Sequence, residues 1–245
     1  MASLFFSTFI FLLSFLLPVE SKCPTSFDCG YLGRIQFPWT PTERTDCGLF
    51  VIQGCHDPNV LKTLLTNNGT TRTFKVFSIT HTVSSSESTI VIRDMDLQER
   101  LRNRSCEAFS NNYTLPLTVP PPALASFNIS NIEFFLRCNR LNPLDRTNAS
   151  FFNFTCVDSH IIYGFPIPER NKSSSLLSSC SFIQFLIKDL PDDGDPFTFI
   201  TSMVLLKVRL SDNCSKCIYD RAGRCQLDPN GIFNCDGATA AGDRS

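Results

Sequence analysis

Histidine and tryptophan are nearly missing from this 245-residue chain, which has three His (His56, His81, His160) and one Trp. Neither G-x-S-x-G nor H-E-x-x-H occurs, so the short signatures of a serine hydrolase and of a zinc protease are both lacking. A glycosidase needs only two carboxylates, but none of the acids here stands in a motif, and no enzyme is expected. Excess charge of either sign is missing too. Without Glu20, which leaves with the leader described next, 22 Lys+Arg face 22 Asp+Glu (23 − 1). That balance argues against nucleic acid as a partner. Beyond Leu17 no apolar run reaches membrane length: the longest, "FTFITSMVLL" from Phe197, is interrupted by Thr and Ser. The tail "DGATAAGDRS" is polar, which excludes a lipid-anchor signal. The chain is expected to end outside the cell, untethered.

What is present points to secretion. Leu4 to Leu17 is an apolar run of 14 residues, the length of a leader core and too short to span a bilayer. Val19 and Ser21 suit a cut after Ser21, making 1–21 a signal peptide. All twelve cysteines follow it, an even number for an oxidising compartment. Glycosylation sequons are dense, at Asn68, Asn103, Asn112, Asn128, Asn148, Asn153 and Asn171, with one more at Asn213 beside Cys214. Zinc on thiolates needs reduced sulfur and a redox C-x-x-C needs a βαβ context. "CSKCIYDRAGRC" from Cys214 is therefore expected to be a disulfide staple, with no metal and no cofactor.

The fold class expected is mainly β and disulfide-rich: two small β-rich lobes joined by a Pro-rich linker. Phe is abundant, at 23 residues, and Phe, Val, Ile and Thr cluster between Pro, Asn and Ser breaks. "GLFVIQGC" from Gly48, "TFKVFSITHTV" from Thr73, "STIVIRDMDL" from Ser88 and "FNISNIEFFLRC" from Phe127 read as strands. The second shifts phase between Val76 and Phe77, which predicts a bulge. "NNG" at 67–69 predicts a turn. In "MVLLKVRL" Val204, Leu206, Val208 and Leu210 share a face. "SSLLSSCSFIQFLIKDL" fits a strand better than a helix. The run of Pro116, Pro120, Pro121 and Pro122 cannot sit in a central strand, so the lobes are placed at 22–110 and 127–236, with the linker at 111–126 and a polar tail at 237–245. Cys23, Cys29, Cys47, Cys55 and Cys106 precede the linker. Cys138, Cys156, Cys180, Cys214, Cys217, Cys225 and Cys235 follow it, so full pairing sends at least one bridge across, with Cys106 to Cys138 the shortest route.

Cys29-Gly30, Ile35, Phe37-Pro38, Cys47-Gly48, Phe50, Ile52 and Cys55 follow a recognisable order. The first lobe resembles the galacturonan-binding module of plant wall-associated receptor kinases, with Trp39 where that family usually has Phe. Cys214-x2-Cys217, Gly223, Cys225, Phe233 and Cys235 resemble the family's C-terminal cysteine-rich module, and "DCGLF" is similar to the leaf-rust-resistance-type receptor-like kinases. The resemblance covers nearly all of the mature chain. It implies an extracellular module that binds cell-wall pectin or oligogalacturonides without catalysis, in a secreted form or as part of a longer membrane receptor kinase. The family's transmembrane and kinase segments are not in this sequence. The other expectation is a protein- or peptide-binding immune or co-receptor ectodomain, partnered by a receptor kinase or a peptide ligand.

Candidate ligand residues follow from the chemistry of an acidic sugar. Tyr31, Phe37 and Trp39 offer flat faces for a pyranose, although Phe37 and Trp39 serve equally well to fill a small disulfide core. Arg34, together with Arg100, Arg102 and Arg104, offers forks for carboxylates. In a strand the last three would line one face, and a solvated face countered by Asp94, Asp96 and Glu99 is an equal reading. Residues 22–110 net only +1 (ten basic, nine acidic), so any anion site there is local. "DDGD" at Asp192 to Asp195 reads as a calcium bridge or a plain loop. The stretch from Cys23 to Leu65 carries no sequon, and the binding face is expected on it.

Overall fold

The structure, a computed structural model, describes residues 23–66, 72–81, 86–138, 152–155, 161–164, 180–188 and 195–237. The leader, the turn at 67–69, Cys156, Asn68, Asn148, Asn171, the first three residues of the "DDGD" run and residues 238–245 lie outside the described residues. The architecture is mainly β and disulfide-bonded. A short hairpin of β1 (Phe27–Asp28) and β2 (Arg34–Ile35) leads into β3 (Trp39–Pro41), β4 (Phe50–Gln53), β5 (Thr63–Leu64), β6 (Phe74–His81) and β7 (Glu87–Asp94). Helix α1 (Met95–Arg102) follows, then β8 (Ala125–Ile129), β9 (Ile132–Cys138), β10 (Phe152–Thr155), β11 (Ile161–Gly164) and β12 (Cys180–Leu186). The chain closes with α2 (Pro196–Phe199), β13 (Met203–Leu210), α3 (Asp212–Tyr219) and the hairpin β14 (Arg224–Leu227) with β15 (Phe233–Asp236).

Two larger sheets form, but they do not correspond to the halves on either side of the prolines. A seven-stranded sheet runs β3-β4-β5-β6-β7-β13-β8, and a four-stranded one runs β10-β11-β9-β12. Strand β13, from late in the chain, lies between β7 and β8, pairing Val204 with Ile92 and Val208 with Phe127. The division at residues 111–126 is therefore corrected: the second sheet is an excursion between β8 and β13. Two terms hold β13 there. Val204, Leu206, Val208 and Leu210 are all buried, each contributing about 1.5–3 kcal/mol, and pairing with β7 on one side and β8 on the other satisfies the backbone groups that an edge would leave open. The proline segment is no free linker either, since Tyr113, Leu117 and Leu124 are buried in the main core. Asn131, at the corner between β8 and β9, donates to the carbonyls of Ile187 and Met203 and accepts from the Leu205 N–H.

Other details follow the residue pattern. The β6–β7 register shifts between Val76 and Ser78, which puts the bulge at Phe77. Phe109, Phe135, Phe185 and Phe199 build a separate aromatic core with Ile183 and Ile200, with ring centroids such as Phe109–Phe185 5.6 Å apart. That core accounts for part of the phenylalanine excess. The first lobe is held by Cys23–Cys47 and Cys29–Cys55. In the last lobe Cys214 and Cys217 lie one turn apart on α3 and bridge to Cys225 and Cys235, which face each other across the β14–β15 hairpin. Both ends thus share one connectivity, first to third and second to fourth. Cys106 is disulfide-bonded as well. With the eight cysteines above paired among themselves, its partner comes from beyond the proline run.

Two glycines of the motifs mark close approaches. A Cβ on Gly48 would lie 2.7 Å from Thr40 Cβ and 2.9 Å from the Pro38 oxygen, where the parallel pair β3–β4 closes. A Cβ on Gly223 would lie 2.6 Å from Cys235 Sγ and 3.0 Å from Cys217 Sγ, against the disulfide itself. Gly223→Ala should therefore hinder that bridge. Thiol labelling of the denatured variant should detect free cysteine where the parent shows none; a fully oxidised variant of unchanged melting temperature would refute this account.

Candidate functional site

The sequon-free first stretch presents one aromatic residue prominently. Residues 30–32 form a 3-10 turn, fixed by the Cys29 N–H to the Gly33 carbonyl at 2.9 Å and by the Gly30 N–H to Asp28 Oδ1 at 3.0 Å. The turn lifts Tyr31 to 54% exposure, yet the ring is not loose. Its hydroxyl donates to the Val76 carbonyl on β6 at 2.7 Å, and the Lys62 ammonium lies 5.7 Å from the ring centroid. Partial burial lifts the Tyr31 phenol above its ordinary pKa, so it remains a hydrogen-bond donor at neutral pH. Val60, Leu61 and Leu65 are exposed on the same stretch. Arg34 is exposed on β2 and engages no carboxylate among the described residues.

Lys62 makes this platform possible. It is fully buried, and its Nζ donates to the carbonyls of Gly54 at 2.6 Å, Val60 at 3.0 Å and Asp57. Three carbonyl oxygens stand in for the water the ammonium has lost. The loop 54–62 is thereby wrapped around a fixed positive charge, and Tyr31 lies over it.

Two other sequence candidates belong to the core. Trp39 is 0% exposed, with its ring centroid 5.1 Å from that of Phe50, and cannot offer a face to a ligand. Phe37 is half-buried against the same cluster. The aromatic-Pro-aromatic centre fills the small disulfide lobe because little else apolar is available there. Ile35, Phe50 and Ile52 of the motif are buried with it.

The arginine face is also corrected. Residues 95–102 are helical, so Arg100 and Arg102 point in different directions, and Arg104 lies past the helix end with φ 50°. Asp94 caps the helix by accepting the Leu97 N–H at 3.1 Å, which stops the strand where alternation alone would extend it. Arg102 pairs with Glu99 at 2.7 Å. Arg104 pairs with Asp195 at 2.8 Å and covers the Phe197 ring. Although its desolvation acts upward, the Arg104 contact holds the Asp195 carboxyl below the usual range. Asp195 also caps α2 through the Phe197 N–H, so the described end of the "DDGD" run serves as a cap. Only Arg100 of the three is unpaired among the described residues. It borders a cavity of about 240 Å³ together with Asp96, Glu107, Asn112 and Tyr113, with Phe185 and Ile200 as apolar lining.

The lining of this cavity includes a cluster that the sequence did not reveal. Asp94 is fully buried and pairs with Arg72, whose guanidinium lies between the rings of Phe74 and Tyr113, 5.2 Å from each centroid. Arg72 also donates to the Thr114 carbonyl at 2.7 Å. Burial, then the nearby Asp94 carboxylate, pushes the Tyr113 phenol far above its ordinary pKa. Among the described residues the one group of potential metal ligands is Cys23, Asp46 and Cys47. Its two sulfurs are joined as a disulfide, so it fits no metal. Tyr31 and Arg34 occupy the first lobe, whereas Arg100 borders the cavity at the C-terminal end of β7; among the described residues no hydrogen bond or ion pair joins the two groups.

Replacing Lys62 with Met would leave three carbonyls without their donor, each costing about 1–3 kcal/mol if left unsatisfied. Lys62→Met is expected to lower unfolding stability by about 3 kcal/mol or more. The emission of Trp39, the chain's only tryptophan, reports that unfolding from inside the first lobe. An unchanged denaturation midpoint would show that the cage is dispensable. Comparison with protein-family models, with curated proteins and with solved structures finds no match to this chain.

Proposed function

We propose that this chain is a non-catalytic extracellular module that binds acidic cell-wall polysaccharide, pectin or its oligogalacturonide fragments, through Tyr31 and Arg34 of the first lobe. The observation that carries the reading is the state of Tyr31, an exposed ring held in place by a hydrogen bond and a buried cation. A stacking platform fixed in advance loses little conformational freedom on binding. Pyranose rings present a C–H face that suits such a ring, and Arg34 supplies a free fork for a uronate carboxylate. The formed disulfides are in keeping with an oxidising, extracellular location. The cysteine and glycine pattern shared with wall-associated receptor kinases supports the same ligand class and a membrane-bound relative as context.

One observation favours a second reading. Val60, Leu61 and Leu65 are exposed near the platform, and three apolar side chains beside an aromatic anchor suit a protein or peptide partner.

Calorimetry with oligogalacturonides and with neutral wall fragments separates the two. Tyr31→Ala should weaken uronide binding about tenfold or more, equivalent to ~1.4 kcal/mol. Arg34→Gln should weaken it and flatten its salt dependence, while Arg102→Gln leaves it unchanged. Loss of binding to neutral and acidic fragments alike in Arg34→Gln would contradict the fork. A folded parent that binds no wall saccharide would favour the protein partner.

A further inference from the structure

The cavity beside Arg100 has a feature that separates it from an open ligand site: one of its walls is a glycosylation sequon. Asn112, Tyr113 and Thr114 form N-x-T and all three line the cavity. Asn112 is exposed, and its Oδ1 is already used, accepting the Gln184 N–H at 2.9 Å. The side chain is thereby fixed with Nδ2 as its one free polar atom. At about 240 Å³ the space is below the range typical of drug-sized ligands and suits a single sugar ring. Two lining groups have hydrogen-bonding capacity to spare. Tyr113 is 8% exposed, and although its ring packs on Arg72 beside Asp94, its hydroxyl makes no hydrogen bond of good geometry among the described residues. The Arg100 guanidinium has no ion pair among the described residues. A buried hydroxyl such as that of Tyr113 is ordinarily satisfied, and a polyhydroxylated ring would satisfy it, offer hydrogen bonds to the exposed Arg100 and lay its apolar face toward Phe185 and Ile200.

We infer that this cavity is the seat of the innermost N-acetylglucosamine of an N-linked glycan on Asn112, occupied by the chain's own modification rather than by an exogenous ligand. The inference rests on the secretory reading of the leader. In the step that installs the glycan, Asn112 Nδ2 bonds to the sugar C1 as the C1–O bond to a lipid-pyrophosphate donor breaks. The pyrophosphate leaves with the bonding electrons, and the amide nitrogen gives up one proton. Folding then closes Tyr113, Arg100 and Phe185 around the attached ring. Asn103, exposed at the end of α1 with its Nδ2 donating to Glu99 at 2.8 Å, is a sequon that does not line the cavity and so provides an internal reference.

The full chain, secreted from a eukaryotic host, is treated with a peptide N-glycosidase in heavy-oxygen water, native and after denaturation. Mass spectrometry then reads release at each site. Asn112 is expected to be occupied, and its glycan to be released from the native protein at least about tenfold more slowly than that of Asn103, as for any bond reached only by local opening. The difference should vanish on denaturation. Tyr113→Phe, which keeps the sequon, should speed release at Asn112 alone. Equal native rates at the two sites, or a bare Asn112 beside an occupied Asn103, would overturn the seat and leave the secretory reading standing. A chain bare at every sequon would overturn both.

Discussion

The carboxylate of Asp94 occupies a fully buried position at the end of β7, and much of the chain is arranged to make it tolerable there. A buried charge is costly unless every lone pair finds a donor. Asp94 meets that demand twice, with the Arg72 guanidinium on one oxygen and the Leu97 N–H on the other. The first contact brings Arg72 between two aromatic rings and onto the Thr114 carbonyl, which draws the proline segment against the sheet. The second starts helix α1 and turns the chain away from the strand direction. Its own N–H donates to the Ser202 carbonyl just before β13. One residue therefore links the early strands, the middle segment and the late strand. Removing the cation of a pair whose carboxylate is fully buried typically costs about 3–5 kcal/mol, because Asp94 would be left without a compensating charge.

Lys62 meets the same constraint with the opposite sign and a different solution. Among the described residues no carboxylate reaches it; backbone oxygens do. That is why it was invisible in the sequence: every residue carries a carbonyl, so a carbonyl cage has no side-chain signature. The helix start at Asp94 has a signature in the sequence. Leu97 and Leu101, four apart after an acid, follow helical rather than strand spacing. The even spacing of Arg100, Arg102 and Arg104 drew attention to a strand face that does not exist. Strand faces were readable elsewhere. The alternation of Val204 to Leu210 identified the buried side, and the broken phase at Val76 and Phe77 identified the bulge. Alternation says which face is buried and nothing about which strand lies alongside, so the place of β13 between β7 and β8 had to come from the structure.

For the candidate site the legible part was the stretch and not the atoms. The lack of sequons between Cys23 and Leu65 pointed to the face that bears Tyr31. Composition could not tell Tyr31 from Trp39, since both are aromatic and both lie near cysteines. What separates them is the 3-10 turn at residues 30–32, which lifts the one outward, and the close contact of β3 with β4, which seals the other. Trp39 is packed beside Phe50 in the core, and Tyr31 is left with an exposed face.

The interleaved bridges at both ends change what a single break in the chain can do. A protease that cuts after Arg34 or Arg44 leaves two pieces joined by both Cys23–Cys47 and Cys29–Cys55. A cut after Lys216, Arg221 or Arg224 likewise frees nothing, because Cys214–Cys225, Cys217–Cys235 or both still span it. Pairing neighbours in sequence, first with second and third with fourth, would leave a gap between the two loops where one cut severs the lobe. Here no such gap exists from Cys23 to Cys55 or from Cys214 to Cys235, so in protease-rich surroundings a nicked molecule keeps its parts together.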